Sequence, residues 1–208
     1  MKVQLKHPLA IRWNHWINFP ALTIMIWSGL MIYWANPASL LPGKWLEDLG
    51  LAQRLGEGMA WHFTFGLIFI INGLAYTGFL VFSGQWRYLF PDRRTFRDAF
   101  FVVLAEFRLY KGSAPAFRKY NGAQRFAYTG VLLLGIAASI TGLAIYKPLQ
   151  LNWILQLLGG YSWVRQEHFY ITVAFVLFFF LHVTQVMAAG WNQFQAMVTG
   201  MEKVDDEK

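Results

Sequence analysis

HFYITVAFVLFFFLH, residues 168–182, is an apolar run with a histidine at each end. The thirteen residues between them carry no charge, and only Tyr170 and Thr172 bring polar atoms. Coiled as a helix, the fourteen-residue step rises ~21 Å at about 1.5 Å per residue. At about 100° per residue the two positions differ by only about 40° around the axis, so they share a face. The run therefore reads as part of a membrane-crossing helix that shows two imidazoles to the same neighbours at two depths. Ionisable groups in such a segment are costly to desolvate and mark functional sites.

The rest of the chain has the same character. It has 208 residues, of which 56% are hydrophobic and 18% aromatic, more apolar surface than one soluble domain of that length can bury. Four stretches reach the ~20 residues needed to cross a ~30 Å hydrocarbon core. They lie near 15–35, 59–83, 126–146 and 168–190. Without water, backbone groups must be satisfied within the segment, so each is expected to be helical. The expected architecture is an all-α, integral-membrane four-helix bundle over residues 1–200, followed by a solvated acidic tail, 201–208. Lys2, Lys6 and Arg12 precede the first span, as in a signal peptide. The span is too long for a secretory h-region and no small-residue cleavage site follows it, so it reads as a retained anchor.

The net charge of +7 would suggest nucleic acid in a soluble protein. Here the basic residues flank spans, and lipid is the expected contact. Fourteen Lys and Arg fall in the N-terminus, the connection between spans two and three, and the tail, against four (Lys44, Arg54, Lys147, Arg165) in the other connections. The positive-inside rule puts both termini and the long basic connection in the bacterial cytoplasm, with the protein multi-pass in the inner membrane. Within that connection TFRDAFFVVLAEFRLY, 95–110, has an apolar core too short to span and reads as an amphipathic helix on the inner leaflet. On the outer side, the segments 41–58 and 149–163 carry aromatics and leucines suited to the membrane interface or to a docked partner.

With no cysteine, disulfides, thiolate zinc and iron–sulfur clusters are excluded. Any metal must lean on His7, His15, His62, His168 or His182. His7, beside Pro8, reads as a surface residue. His15 opens the first span on the cytoplasmic side, and His62 opens the second on the outer side. Two depth-matched pairs result, His62 with His168 outside and His15 with His182 inside. Paired imidazoles are what a bis-histidine haem needs, and a helix-bundle interior suits its flat apolar ring. Gly29, fourteen residues after His15 and on its face, gives a macrocycle room to rest at the outer depth. Gly66, Gly73, Gly78, Gly130, Gly135 and Gly142 offer similar room or simply ease helix packing.

RWNHWINF at 12–19 resembles the first-helix signature of bacterial diheme cytochrome b membrane subunits, the cytochrome b561 / nickel–iron hydrogenase cytochrome b / formate dehydrogenase gamma subunit family. His62, KYNGAQRFAY at 119–128, GLAIYKP at 142–148, the pair His168 and His182, and QAMVTG at 195–200 are similar to further family segments. The resemblance covers nearly the whole chain. It implies two haem b groups, on His62/His168 at the periplasmic side and on His15/His182 at the cytoplasmic side. It also implies a quinone site beside the inner haem, with Asn121 and Gln124 as polar contacts and Asn14 a weaker one. For Asn121 a helix cap is the competing reading. Arg12, Lys119 and Arg125 would pair with haem propionates, or remain surface charges.

The outer connections are short, so no catalytic module and no catalytic residue is expected within the chain. The function implied is electron transfer between a periplasmic catalytic subunit, of molybdoenzyme or hydrogenase type, and the membrane quinone pool. A stand-alone quinone oxidoreductase exchanging electrons with a small diffusible redox partner uses the same parts. A haem-free ion-conducting or assembly protein is the reading from another class.

Overall fold

The computed structural model describes residues 2–35, 42–106, 109 and 120–204. Leu41 of the first outer segment, Arg108, Lys111, Arg118 and Lys119 of the basic connection, and residues 205–208 of the acidic tail lie outside the described residues.

The described elements run β1 (Lys2–Leu5), α1 (Leu9–Trp34), α2 (Gly43–Asp48), α3 (Leu55–Phe82), α4 (Trp86–Leu89), α5 (Arg93–Glu106), α6 (Gly122–Tyr146), α7 (Asn152–Leu157), α8 (Tyr161–Ala189), α9 (Trp191–Thr199) and β2 (Met201–Val204). The fold is all-α apart from one small sheet. Four helices, α1, α3, α6 and α8, are long and apolar enough to cross a membrane. They match the four expected spans, each beginning four to seven residues earlier and ending within one residue of the expected bound. Hydropathy marks the part of a helix that sits in hydrocarbon, while the hydrogen-bond ladder continues into the polar interface. Between 6% and 17% of each helix's most apolar window is buried inside the protein, so most of that apolar surface is left for lipid.

The chain divides into two compact units, Met1–Thr77 with Thr184–Lys208, and Gly78–Val183. In the first, Met31 of α1 packs with Leu46 of α2 and Leu51, flanked by Leu30 and Trp34. The two ends of the chain meet there. β1 pairs antiparallel with β2, Lys2 opposite Val204 and Leu5 opposite Met201. Residues 201–204, read from sequence as tail, are therefore strand. The sheet rests on α9. The Nζ of Lys6 donates to Gln193 at 2.5 Å and to Glu202 at 2.6 Å, and Asn192 exchanges two hydrogen bonds with the backbone of Lys203. This pairing draws the following turn onto Gly200, whose carbonyl accepts from the backbone N–H groups of Lys6 and His7. His7 is consequently buried and not the surface residue its sequence context suggests.

In the second unit α5 docks across the start of α6. A Cβ on Gly122 would lie 2.8 Å from the carbonyl oxygen of Thr95 and 2.9 Å from Cα of Ala99, so only glycine permits the crossing. Thr95 is buried there, and Phe96 meets Phe126 edge-on. Phe96, Phe100 and Val103 still expose large apolar surfaces, the stripe expected of a helix that also touches a leaflet. Asp92 caps α5, its Oδ1 accepting from the N–H groups of Arg94 and Thr95 and from the Thr95 hydroxyl at 2.8 Å. At the far end of α6, Ala144, Leu155 of α7 and Val164 of α8 form a small core.

Candidate functional site

His62 is the eighth residue of α3, which begins at Leu55. Its Nδ1 lies 3.0 Å from the carbonyl oxygen of Met25 and 3.3 Å from Oγ of Ser28, both on α1. A carbonyl only accepts, so Nδ1 carries the proton and donates it. The Ser28 hydroxyl gives its own proton to the Ile24 carbonyl at 2.6 Å, which turns its lone pairs toward the imidazole. The ring lies flat enough against α1 that a Cβ on Gly29 would stand 3.4 Å from its Cε1. Gly29, expected to make room for a macrocycle, thus makes room for the imidazole itself.

His168 repeats the arrangement in the other unit. It is the eighth residue of α8, which begins at Tyr161. Its Nδ1 is 2.8 Å from the Thr141 hydroxyl of α6. That hydroxyl donates to the Ala137 carbonyl at 2.7 Å and so accepts from the imidazole. Gly142 follows, and a Cβ there would come 3.2 Å from Cε1 of His168. In both cases a hydrogen-bonded Nδ1–H puts the imidazole lone pair on Nε2, which is then the nitrogen suited to a metal. Sequence reasoning missed Ser28 and Thr141. The signal was present as two matching tripeptides, SGL at 28–30 and TGL at 141–143, each on a different helix from the histidine it serves.

The other two imidazoles sit near the opposite helix ends. His15 is the seventh residue of α1, which begins at Leu9, and its ring stands edge-on to Trp16 with centroids 5.0 Å apart. His182 is the eighth residue from the end of α8 at Ala189 and stacks on Phe178, planes 10° apart. All four are half-buried. α8 holds His168 and His182 on one unbroken helix, as the spacing requires. α1 holds His15 and Gly29 with Pro20 between them. His15 and His62 fall in the first unit and His168 and His182 in the second.

Asn14 is part of a polar ladder between α1 and α3. Its Nδ2 donates to the Asn72 carbonyl at 3.2 Å, and Asn72 returns one bond to the Asn14 carbonyl at 3.1 Å and one to Asn18 Oδ1 at 2.8 Å. Inside hydrocarbon such groups must satisfy one another. Asn121 and Gln124 form a reciprocal capping box at the start of α6, Asn121 Oδ1 accepting from the Gln124 N–H at 2.8 Å and Gln124 Oε1 from the Asn121 N–H at 3.1 Å. The cap uses both amide oxygens; the two NH2 groups take no part in it and keep the right polarity for a carbonyl ligand.

The basic residues have structural tasks. Arg12 donates to the Val198 carbonyl at 2.8 Å, closing the C-terminus of α9, where Trp16 also donates to Met197. Arg125 pairs with Asp92 at 3.1 Å and donates to the carbonyls of Phe90 and Arg87. Thr95, through its hydroxyl and N–H, and then Arg125 hold the Asp92 carboxyl down to about 2. Lys119 lies outside the described residues.

Four membrane-length helices, with imidazoles on two of them whose Nε2 lone pairs suit a metal, define a class of protein: an integral-membrane helical protein with candidate cofactor-ligating histidines. The chain belongs to the prokaryotic cytochrome b561 family, whose model matches residues 6–200. It is thereby a membrane electron-transfer cytochrome, and the family implies haem b. The residues fit that group: haem iron takes imidazole nitrogen, and His62 and His168 present theirs. Among curated proteins, "Putative protein-methionine-sulfoxide reductase subunit YedZ1" of Azospira oryzae is 34% identical over 181 residues, covering 86% of this chain and 89% of that protein. No solved structure matches.

Proposed function

We propose that the chain is a diheme cytochrome b that moves electrons between an oxidoreductase partner on the periplasmic face and the membrane quinone pool. One haem b is held by His62 and His168 near the periplasmic side, the other by His15 and His182 near the cytoplasmic side. Haem b supplies a one-electron ferric/ferrous couple at each depth. The observation that carries the reading is the matched placement of the imidazoles. His62 and His168 are each the eighth residue of α3 and α8, while His15 is the seventh residue of α1 and His182 the eighth from the end of α8; with alternating crossings the first two share one depth and the last two the other.

The orientation follows from charge and from the ends of the chain. An even number of crossings leaves both ends on one side, with which the pairing of β1 and β2 agrees, and the excess of basic residues in the segments read on that side favours the cytoplasm. Asn121 and Gln124 offer amide N–H donors to a quinone carbonyl at the same side. The partner is an oxidoreductase, of molybdoenzyme or hydrogenase type. The relative's description as a reductase subunit favours electrons flowing outward, from quinol to partner.

The test is a dithionite-reduced minus air-oxidised spectrum of the detergent-purified chain, with haem counted per polypeptide. The expected result is a b-type signal at about two haems per chain, falling to about one in His62→Ala and again to about one in His15→Ala. A haem-free wild type from haem-replete cells would remove the reading. Unequal losses in His62→Ala and His168→Ala would remove the pairing.

A further inference from the structure

We propose that Ser28 and Thr141 are positioning residues for the outer haem ligands: each accepts from the Nδ1–H of one imidazole, Thr141 alone and Ser28 beside the Met25 carbonyl, helps hold its tautomer and rotation, and so lowers the redox potential of the site. The inference rests on the reading that His62 and His168 hold one haem.

The same device is built twice, from different helices. In each, a hydroxyl donates to a carbonyl four residues back, Ser28 to Ile24 at 2.6 Å and Thr141 to Ala137 at 2.7 Å. Its lone pair then faces an imidazole Nδ1, at 3.3 Å from Ser28 and 2.8 Å from Thr141. The next residue is glycine, whose missing Cβ lets the ring lie against the helix. Back-bonding alone is ordinary for hydroxyl residues in membrane helices. Thr23, Thr64 and Thr77 do it here from exposed positions. Ser28 and Thr141 differ in being buried, at 0% and 4% exposure. A buried hydroxyl in hydrocarbon is costly unless its donor and acceptor are both used, and the imidazole N–H uses the acceptor.

An acceptor on Nδ1–H makes Nε2 a stronger electron donor to the metal. That favours the ferric state, so removing the acceptor raises the potential. The two sites are unequal. Thr141 holds its imidazole at 2.8 Å, whereas His62 shares its proton between Ser28 and the Met25 carbonyl at 3.0 Å. Thr141→Val is therefore the larger perturbation.

The experiment is a spectroelectrochemical redox titration of the purified full chain, with haem counted per polypeptide. The variants are Thr141→Val, Ser28→Ala and the hydroxyl-keeping Thr141→Ser and Ser28→Thr. The outer haem is identified as the signal lost in His62→Ala. The expected result is an outer potential raised in Thr141→Val by about tenfold in the ferric-to-ferrous balance, at the low end of outer-shell effects, or about 59 mV for one electron. Ser28→Ala gives a smaller rise, and both hydroxyl-keeping variants keep the wild-type value. Unchanged potentials at full haem content would overturn the proposal. Where Thr141→Val loses haem, Thr141→Ser decides: haem retained at the wild-type potential supports the role, and loss in both overturns it. A wild type without haem, or one whose His62→Ala and His168→Ala variants lose different signals, would fail the underlying pairing instead.

Discussion

Gly122→Ala tests whether the crossing of α5 over α6 depends on a missing methyl group. The new Cβ would stand 2.8 Å from the Thr95 carbonyl oxygen and 2.9 Å from Cα of Ala99, where ordinary contact begins at 3.4 Å. It would also press on the backbone nitrogen of Ala99. All three are backbone atoms, so no rotamer change relieves the overlap, and α5 must retreat by roughly half an ångström or more. Overpacking of this kind costs about 1–3 kcal/mol. Gly122 is the first residue of α6, outside the helix interior where alanine gains on glycine, so the loss of about 1–3 kcal/mol falls on the junction. In hydrogen–deuterium exchange of the detergent-solubilised chain, amides of 93–106 should exchange roughly tenfold faster for each ~1.4 kcal/mol lost. Gly130→Ala in the same helix is the control, because a Cβ there meets nothing within 4 Å. Wild-type exchange of α5 in Gly122→Ala, or equal damage from Gly130→Ala, would refute the reasoning.

Three further outcomes follow from the same contacts. The Asp92 carboxyl is held down to about 2, below its ordinary ~3.9, so its contribution is complete above about pH 4 and lost as pH falls toward 2. The melting-temperature advantage of wild type over Asp92→Asn should fade across that window and be flat above it. Asn72→Leu removes donors to Asn14 and Asn18 and should cost about 0.6 kcal/mol and no more than ~1.7, read as lowered resistance to denaturing detergent. Arg12→Ala frees the Val198 carbonyl at the end of α9, a loss of about 1 kcal/mol. It should speed exchange across 191–204, where β2 and α9 depend on that closure.

The spans were legible because lipid leaves one solution for the backbone. A run of uncharged residues long enough to cross is a helix whatever its neighbours do. The histidines stood out for a related reason, since an imidazole in such a run has few uses. What escaped was fixed by contacts between helices. Ser28 reads as an ordinary small residue until His62 is set against it, and Thr141 until His168 is. Asn18 and Asn72 look like isolated polar positions until their ladder closes. The sheet of Lys2–Leu5 with Met201–Val204 joins residues almost two hundred apart, and its four-residue strands are too short for alternation to register. Asn121 was open between a cap and a quinone contact, and the capping box with Gln124 shows the first without removing the second.

The polar groups inside the membrane-length helices follow one rule, and the rule explains why the imidazoles can be tuned. In a medium of low dielectric an unmatched hydroxyl or amide is costly, and a matched one is stronger than in water. Asn14, Asn18 and Asn72 match one another and hold two helices together. Ser28 and Thr141 match their own carbonyls with a proton and the histidines with a lone pair, so the bond that relieves the hydroxyl also polarises the ring. Under the proposed haem ligation, the ligand position is a histidine on one helix read together with a hydroxyl–glycine step on its neighbour. Changing the hydroxyl alters the electron donation of Nε2 without touching the histidine, and changing the glycine alters how closely the ring can seat. At Gly142, where the clearance is 3.2 Å against 3.4 Å at Gly29, the seat is tighter and the hydrogen bond shorter.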